Sequence, residues 1–159
     1  MKHFILIIFI VFFSKIEAQV IQYGGTYSYG THPDSGRTGL LHIYPISENT
    51  FLFHLDLSRG APSYNMGELV GKITISSSGE GNYTVKADSD YINCSFTLQF
   101  RNDSVFIRTN NDAVDCGYGF GVYSDGDFKK ITNDIPKFFI DQSGKKRYFK
   151  NLDWKDWRR

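Results

Sequence analysis

Between Tyr91 and Phe100 the chain alternates with period two. Ile92, Cys94, Phe96, Leu98 and Phe100 fall on one side, and Asn93, Ser95, Thr97 and Gln99 on the other. Successive side chains of a strand point to opposite faces, so this stretch predicts a strand with one buried and one wetted face. The turn residues Arg101-Asn102-Asp103-Ser104 lead into Val105-Phe106-Ile107-Arg108-Thr109. With Asn102-Asp103 at the tip, Phe100 pairs with Val105 and Leu98 with Ile107, which keeps the apolar faces together.

The same logic governs most of the chain up to Phe128. Tyr27 and Tyr29 alternate with Thr26 and Ser28; Phe51, Phe53, Leu55 and Leu57 alternate with Leu52, His54 and Asp56. Tyr83 and Val85 alternate with Asn82, Thr84 and Lys86, and Leu69, Ile73 and Ile75 share a face around Gly71. Adding a strand near 38–46 and one near 117–123 gives about eight short strands spaced by roughly a dozen residues, the pattern of an all-β fold. Successive strands look hairpin-connected. The expected fold is therefore an antiparallel up-and-down barrel, lipocalin-like, with a short C-terminal extension; a β-sandwich is the alternative.

The two ends of the chain read differently. Lys2 and His3, an unbroken apolar run from Phe4 to Phe13, and the short polar stretch ending in Ala18 have the form of a secretory signal peptide. Ten apolar residues are too few for a hydrocarbon core that needs about twenty, and no second long run follows, so no membrane span is expected in the mature chain. Past Lys130 the text is aromatic and basic. Phe138-Phe139-Ile140 and Tyr148-Phe149, separated by Gln142-Ser143-Gly144, suit a small hairpin. Asn151 to Arg159 suits a short helix carrying Trp154 and Trp157. The expected organisation is a signal peptide at 1–18, a barrel domain at 19–130 and a tail at 131–159 that packs on the barrel.

Charge sharpens this division. Gln19 to Phe128 carries 6 Lys/Arg against 12 Asp/Glu, net −6; Lys129 to Arg159 carries 10 against 4, net +6. An acidic body with a basic tail implies either an interaction tail or one that docks on its own body. Cys94 and Cys116 are the two cysteines. In an exported chain such a pair is expected to form a disulfide, and export places the protein outside the cell or in a periplasm. The loop it closes, about 22 residues, corresponds to roughly 3 kcal/mol in the chain-entropy picture.

Gly117-Tyr118-Gly119-Phe120-Gly121 looks at first like a phosphate-binding loop. A dinucleotide fingerprint needs glycines at positions 1, 3 and 6 before a helix, and a Walker loop needs Gly-Lys-Ser/Thr. Position 6 here is Val122 or Ser124, and no such ending follows. The run is read instead as a strand with Tyr118, Phe120 and Val122 facing the core and the glycines bare, to be covered by the aromatic tail.

Two groups of polar residues are candidates for function. If the loop between the second and third strands has an odd number of residues, His42, His54 and Asp56 share one outward face, where two imidazoles and a carboxylate can bind a metal or move a proton; the competing reading is a solvated sheet face. The irregular stretch from Ser58 to Glu68 carries Arg59, Tyr64, Asn65 and Glu68 at what becomes a barrel mouth, a normal place for a ligand. Its competing reading is a plain connection with Arg59 paired to Glu68. Sequons stand at Asn82, Asn93 and Asn102. No catalytic set, metal motif or cofactor motif is present, so no enzyme activity, metal, cofactor or nucleic-acid partner is expected.

At Cys116-Gly117, Gly119, Gly121-Val122, Asp125-Gly126, Phe128 and Lys129 the chain resembles a group of small exported bacterial proteins. Their β-domain ends in a Cys-Gly…Gly-Val…Asp-Gly-aromatic-X-basic pattern. Gly25-Thr26-Tyr27, Cys94 and the N-terminal signal also resemble that group, over most of residues 23–130 and excluding the tail. The resemblance implies export, a lipocalin-like barrel and a disulfide, and implies no activity. The expected function is non-enzymatic binding of an unknown protein. A small apolar ligand carried in the mouth is one alternative; inhibition of a cationic extracellular enzyme such as lysozyme is the other.

Overall fold

The computed structural model describes residues 22–86, 93–110 and 116–157. The signal segment at 1–18, Tyr91, Ile92 and the last two arginines lie outside them. Eight strands build the body: β1 (Gly25–Tyr29), β2 (Thr38–Pro45), β3 (Thr50–Ser58), β4 (Met66–Thr74), β5 (Glu80–Lys86), β6 (Asn93–Arg101), β7 (Ser104–Thr109) and β8 (Gly126–Thr132). Their order in the sheet is β4-β3-β2-β1-β8-β7-β6-β5, and every pairing is antiparallel. The first strand pairs with the last, so the sheet curls into a nearly closed up-and-down barrel; the sandwich alternative is set aside.

The alternation places the core. Leu41 pairs with Leu55 and Ile43 with Phe53 across β2 and β3, Leu98 with Ile107 and Phe100 with Val105 across β6 and β7. All eight side chains point inward and are buried. Inside, Phe53 meets Tyr83 and Phe96 edge-on, and Tyr23 leans on Phe51 and Phe100. These interlocked rings fill the interior with apolar surface, worth roughly 2–3 kcal/mol for each ring taken fully from water.

The eighth strand is not where the alternation put it. Residues 117–123 form a looped segment, and β8 is Gly126–Thr132 instead. Gly117 and Gly121 both have φ of +75°, which no regular strand tolerates, and Val122 N–H closes a turn on the Gly119 carbonyl. That turn sends Phe120 outward while Tyr118 and Val122 go into the barrel end. β8 escaped notice because its inward positions carry only one apolar residue, Phe128; Lys130 at the same parity ends on the Tyr27 ring and the Gln22 carbonyl.

One seam is left. β4 and β5 meet at the isolated Ile75–Gly81 bridge beside their connecting turn, and side chains fill the rest of the gap. The Tyr83 ring lies across Gly71, so close that a Cβ there would sit 2.5 Å from Tyr83 and 2.7 Å from Phe53. Nearer the open end Tyr118 lies on Gly67 in the same manner, at 2.6 Å. The Cys94–Cys116 disulfide ties the looped segment to the start of β6.

The tail folds as a hairpin, β9 (Phe138–Ile140) with β10 (Lys146–Tyr148), followed by 3-10 turns at Phe149–Asn151 and Trp154–Trp157. It lies on the outer face of β2, β3 and β4, not on the glycine segment: Phe139 and Phe149 form a second apolar cluster with Leu52 and Val70. Those two residues are the reason. They are apolar on the outward parity of their strands and need a cover, whereas the glycine segment has no sheet face to offer.

Replacing Gly71 by Ala is expected to cost about 1–3 kcal/mol by overpacking the seam. The urea midpoint reads this directly, and an unchanged midpoint would mean that Tyr83 and Phe53 move aside freely.

Candidate functional site

Two places collect the polar residues of interest. The first is the outer face of β2, β3 and β4. His42 stands opposite His54 in the ladder, and Asp56 opposite Glu68. His42, His54 and Asp56 share one outward face as expected, but the ladder is shifted by two residues from the expected pairing of Tyr44 with His54 and His42 with Asp56. It also brings in Glu68, which belongs to β4 and not to the neighbouring loop. His54 Nε2 is 2.9 Å from Glu68 Oε1, and His54 Nδ1 is 3.2 Å from His42 Nδ1. The Glu68 carboxylate accepts, so His54 donates from Nε2; across the Nδ1–Nδ1 contact one imidazole donates and the other accepts.

This chain of groups is not a solvated face. His54 is only 1% exposed, with the Phe139 ring stacked on it at 3.9 Å and 16°. Phe149 stacks on Tyr44 and meets His42 edge-on. Gln142, at the hairpin tip, donates its N–H to Glu68 and its side-chain amide to Asp56. The tip is rigid because Asp141 accepts from Ser143, the Lys145 N–H and Arg147. Those contacts hold its carboxyl far below the usual range.

Burial, followed by the neighbouring His54, lowers the pKa of His42 to about 4, so it is neutral at physiological pH. Burial raises that of Asp56. Among the described residues no group of three His, Cys, Asp or Glu side chains is placed to hold a metal. Glu68, His54 and His42 form a proton relay in outline, but a substrate has no path to His54 beneath Phe139. The arrangement fastens the hairpin to the barrel.

The second place is the barrel end that holds the β1–β2, β3–β4 and β7–β8 connections. Of the loop residues read as a ligand set, Arg59, Tyr64 and Asn65 are here and Glu68 is not. Arg59 does not pair with Glu68; its guanidinium lies over the Phe120 ring at 5.6 Å. Asn65 donates to the Phe120 carbonyl at 2.7 Å, and Gly119 N–H to the Met66 carbonyl at 2.9 Å. Tyr64 donates its hydroxyl to Asp34. On the other flank Arg37 donates to the carbonyls of Tyr123 and Asp125, at 3.0 Å each, and stacks between Tyr29 and Tyr123.

The result is a braced rim with its rings turned outward. Phe120 is 85% exposed, and Tyr123, Tyr64 and Met66 are each about half exposed. Below the rim a groove of about 500 Å³ runs along the wall past Tyr29, Pro33, Leu40, Tyr64 and Met66. Phe120, Tyr123, Met66 and Arg37 were missed by sequence reasoning. The signal present was glycine on both sides of Phe120, which frees that ring from any strand parity.

No family model, curated protein or solved structure matches the chain. Among the described residues no helix is long and apolar enough to cross a membrane.

A folded His42 takes its proton near pH 4, while an unfolded histidine takes it near 6.5. Between those values the unfolded chain binds more protons, so stability falls as pH drops through this window. Asp56, with its pKa raised on folding, acts the other way at the acidic end. Urea unfolding is expected to lose roughly 1 kcal/mol per pH unit or less across the window, with a shallower slope in His42→Gln. Equal slopes would remove His42 from the account. At neutral pH, Phe139→Ala should cost about 3–5 kcal/mol, and the exposed neighbour Phe138→Ala under about 1; similar losses would contradict the packing described.

Proposed function

We propose that this chain is an exported, non-enzymatic binding protein that engages a protein partner through the rim at the open end of its barrel. One observation carries this reading: Phe120 stands almost fully exposed on a segment fixed by a disulfide, a guanidinium and backbone hydrogen bonds. Exposed aromatic, Met and Arg side chains grouped together are the composition of interface centres. A braced segment loses little conformational entropy when a partner docks.

The alternatives draw less support. A carrier of a small apolar ligand needs room within the mouth, where Tyr118 and Val122 pack against the core. For an inhibitor of a cationic enzyme such as lysozyme, Arg37 and Arg59 put the wrong sign of charge inside the patch. The buried His54–Glu68 pair offers no reactive group to solvent, which favours a non-enzymatic role.

A photoreactive benzoyl-phenylalanine at position 120 is expected to crosslink a discrete protein in the exported fraction of the producing cells. The same group at Asn102, at the far end of the barrel, should give no adduct, and Tyr123→Ser with Met66→Ser, two exposed rim side chains, should remove the adduct without changing the melting temperature. Equal labelling from positions 120 and 102, or none from 120, would end this reading.

A further inference from the structure

The C-terminal hairpin has two faces of opposite use. Phe139 and Arg147 pair across it and turn toward the barrel. Lys146 pairs with Ile140 and Tyr148 with Phe138, so these four side chains share the outer face. Phe138, Ile140 and Tyr148 are each about half exposed, whereas Phe139 and Phe149 in the same tail are buried and Trp154 and Trp157 partly so. Lys146 holds its ammonium 3.6 Å from the centre of the Phe138 ring and 5.5 Å from that of Tyr148.

Lys146 lies on this face, and exposed lysines flank it in the chain. Lys145, Lys146 and Lys150 are all exposed, and the tail from Lys129 onward is net +6. The one acid in the hairpin, Asp141, is buried and paired with Arg147. Beside the rings a groove of about 560 Å³ is lined by Lys145, Lys146, Tyr148, Asn151, Asp153 and Trp157 among others.

Sign and chemistry together narrow the occupant. A cluster of apolar and aromatic side chains ringed by long flexible ammonium groups suits an anionic lipid surface: the rings enter the headgroup boundary while the lysines reach phosphates. A protein partner fits less well, because interface cores are depleted in lysine and favour arginine. We propose that the outer face of the β9–β10 hairpin is a peripheral docking site for a bilayer of anionic phospholipids. Neither component suffices alone, since three partly exposed side chains give little insertion and a few exposed charges little more, so both are needed. The site is independent of the rim, which lies at an end of the barrel and not on its wall.

The test is co-sedimentation of the full-length mature protein with large vesicles of phosphatidylcholine, with and without about one-third phosphatidylglycerol. Binding is expected only with the anionic lipid and should weaken at least tenfold as salt rises from about 0.05 M to about 0.5 M. Phe138→Ser with Ile140→Ser, lysines intact and the urea midpoint unchanged, should lower binding about tenfold or more, as should Lys145→Glu with Lys146→Glu. A tryptophan placed at Ile140 should shift its emission to the blue on anionic vesicles and be quenched by brominated lipid. Sedimentation that ignores lipid charge, or is absent, overturns the proposal. Undiminished binding by the double serine variant overturns it too, since the rings would then play no part. Binding of polyglutamate without binding of vesicles assigns the face to an acidic protein and rejects the lipid.

Discussion

A barrel must meet itself, and here the meeting is incomplete. Seven of the strand contacts are backbone ladders, while β4 and β5 join at their turn and then rely on side chains. Much of the molecule follows from that gap. Gly71 and Gly67 exist on β4 because rings from β5 and the looped segment must lie flat against the backbone there. Tyr118 can reach its place only if the segment bearing it crosses the open end, and Cys116 secures that crossing to β6. The same crossing leaves Phe120 nowhere to go but outward. The exposed ring at the rim is thus a by-product of closing the wall.

The opposite wall solves a different problem. Leu52 and Val70 are apolar on both sides of the ladder from which His54 also projects, so β3 is buried on both faces over its middle. An imidazole in that position needs partners for both nitrogens, since leaving either buried and unpaired costs about 1–3 kcal/mol. Glu68 and His42 supply them within the barrel, and the hairpin supplies the ring that excludes water. The tail is therefore a piece of the core displaced to the outside.

How much of this could be read from the residues depends on how local the determinant was. The β6–β7 hairpin was legible because Leu98, Phe100, Val105 and Ile107 fix its register through one short turn. For β2 and β3 only the parity was legible. The apolar alternation puts His42 and His54 on one face, but nothing in the turn residues fixes which residues stand opposite, and the ladder lies two residues from the expected pairing. β8 was not legible, because Gly126 and Lys130 occupy inward positions that only tertiary neighbours make acceptable. Glu68 was assigned to a loop since nothing local marks where β4 begins. The place of the tail depended on two outward apolar residues, Leu52 and Val70, whose partners Phe139 and Phe149 lie far away in sequence. Alternation reports which face a residue takes; it does not report what will cover that face.

The disulfide gives the rim a dependence on its surroundings. The eight strands hold their ladders without it, for the paired cysteines lie at the start of β6 and in the looped segment rather than between laddered neighbours. The bond acts instead on the segment that carries Phe120, which it holds together with Asn65, the Gly119 N–H and Arg37. It therefore acts on the conformational freedom of the rim rather than on the architecture of the wall, and that part of the order depends on thiols being oxidised.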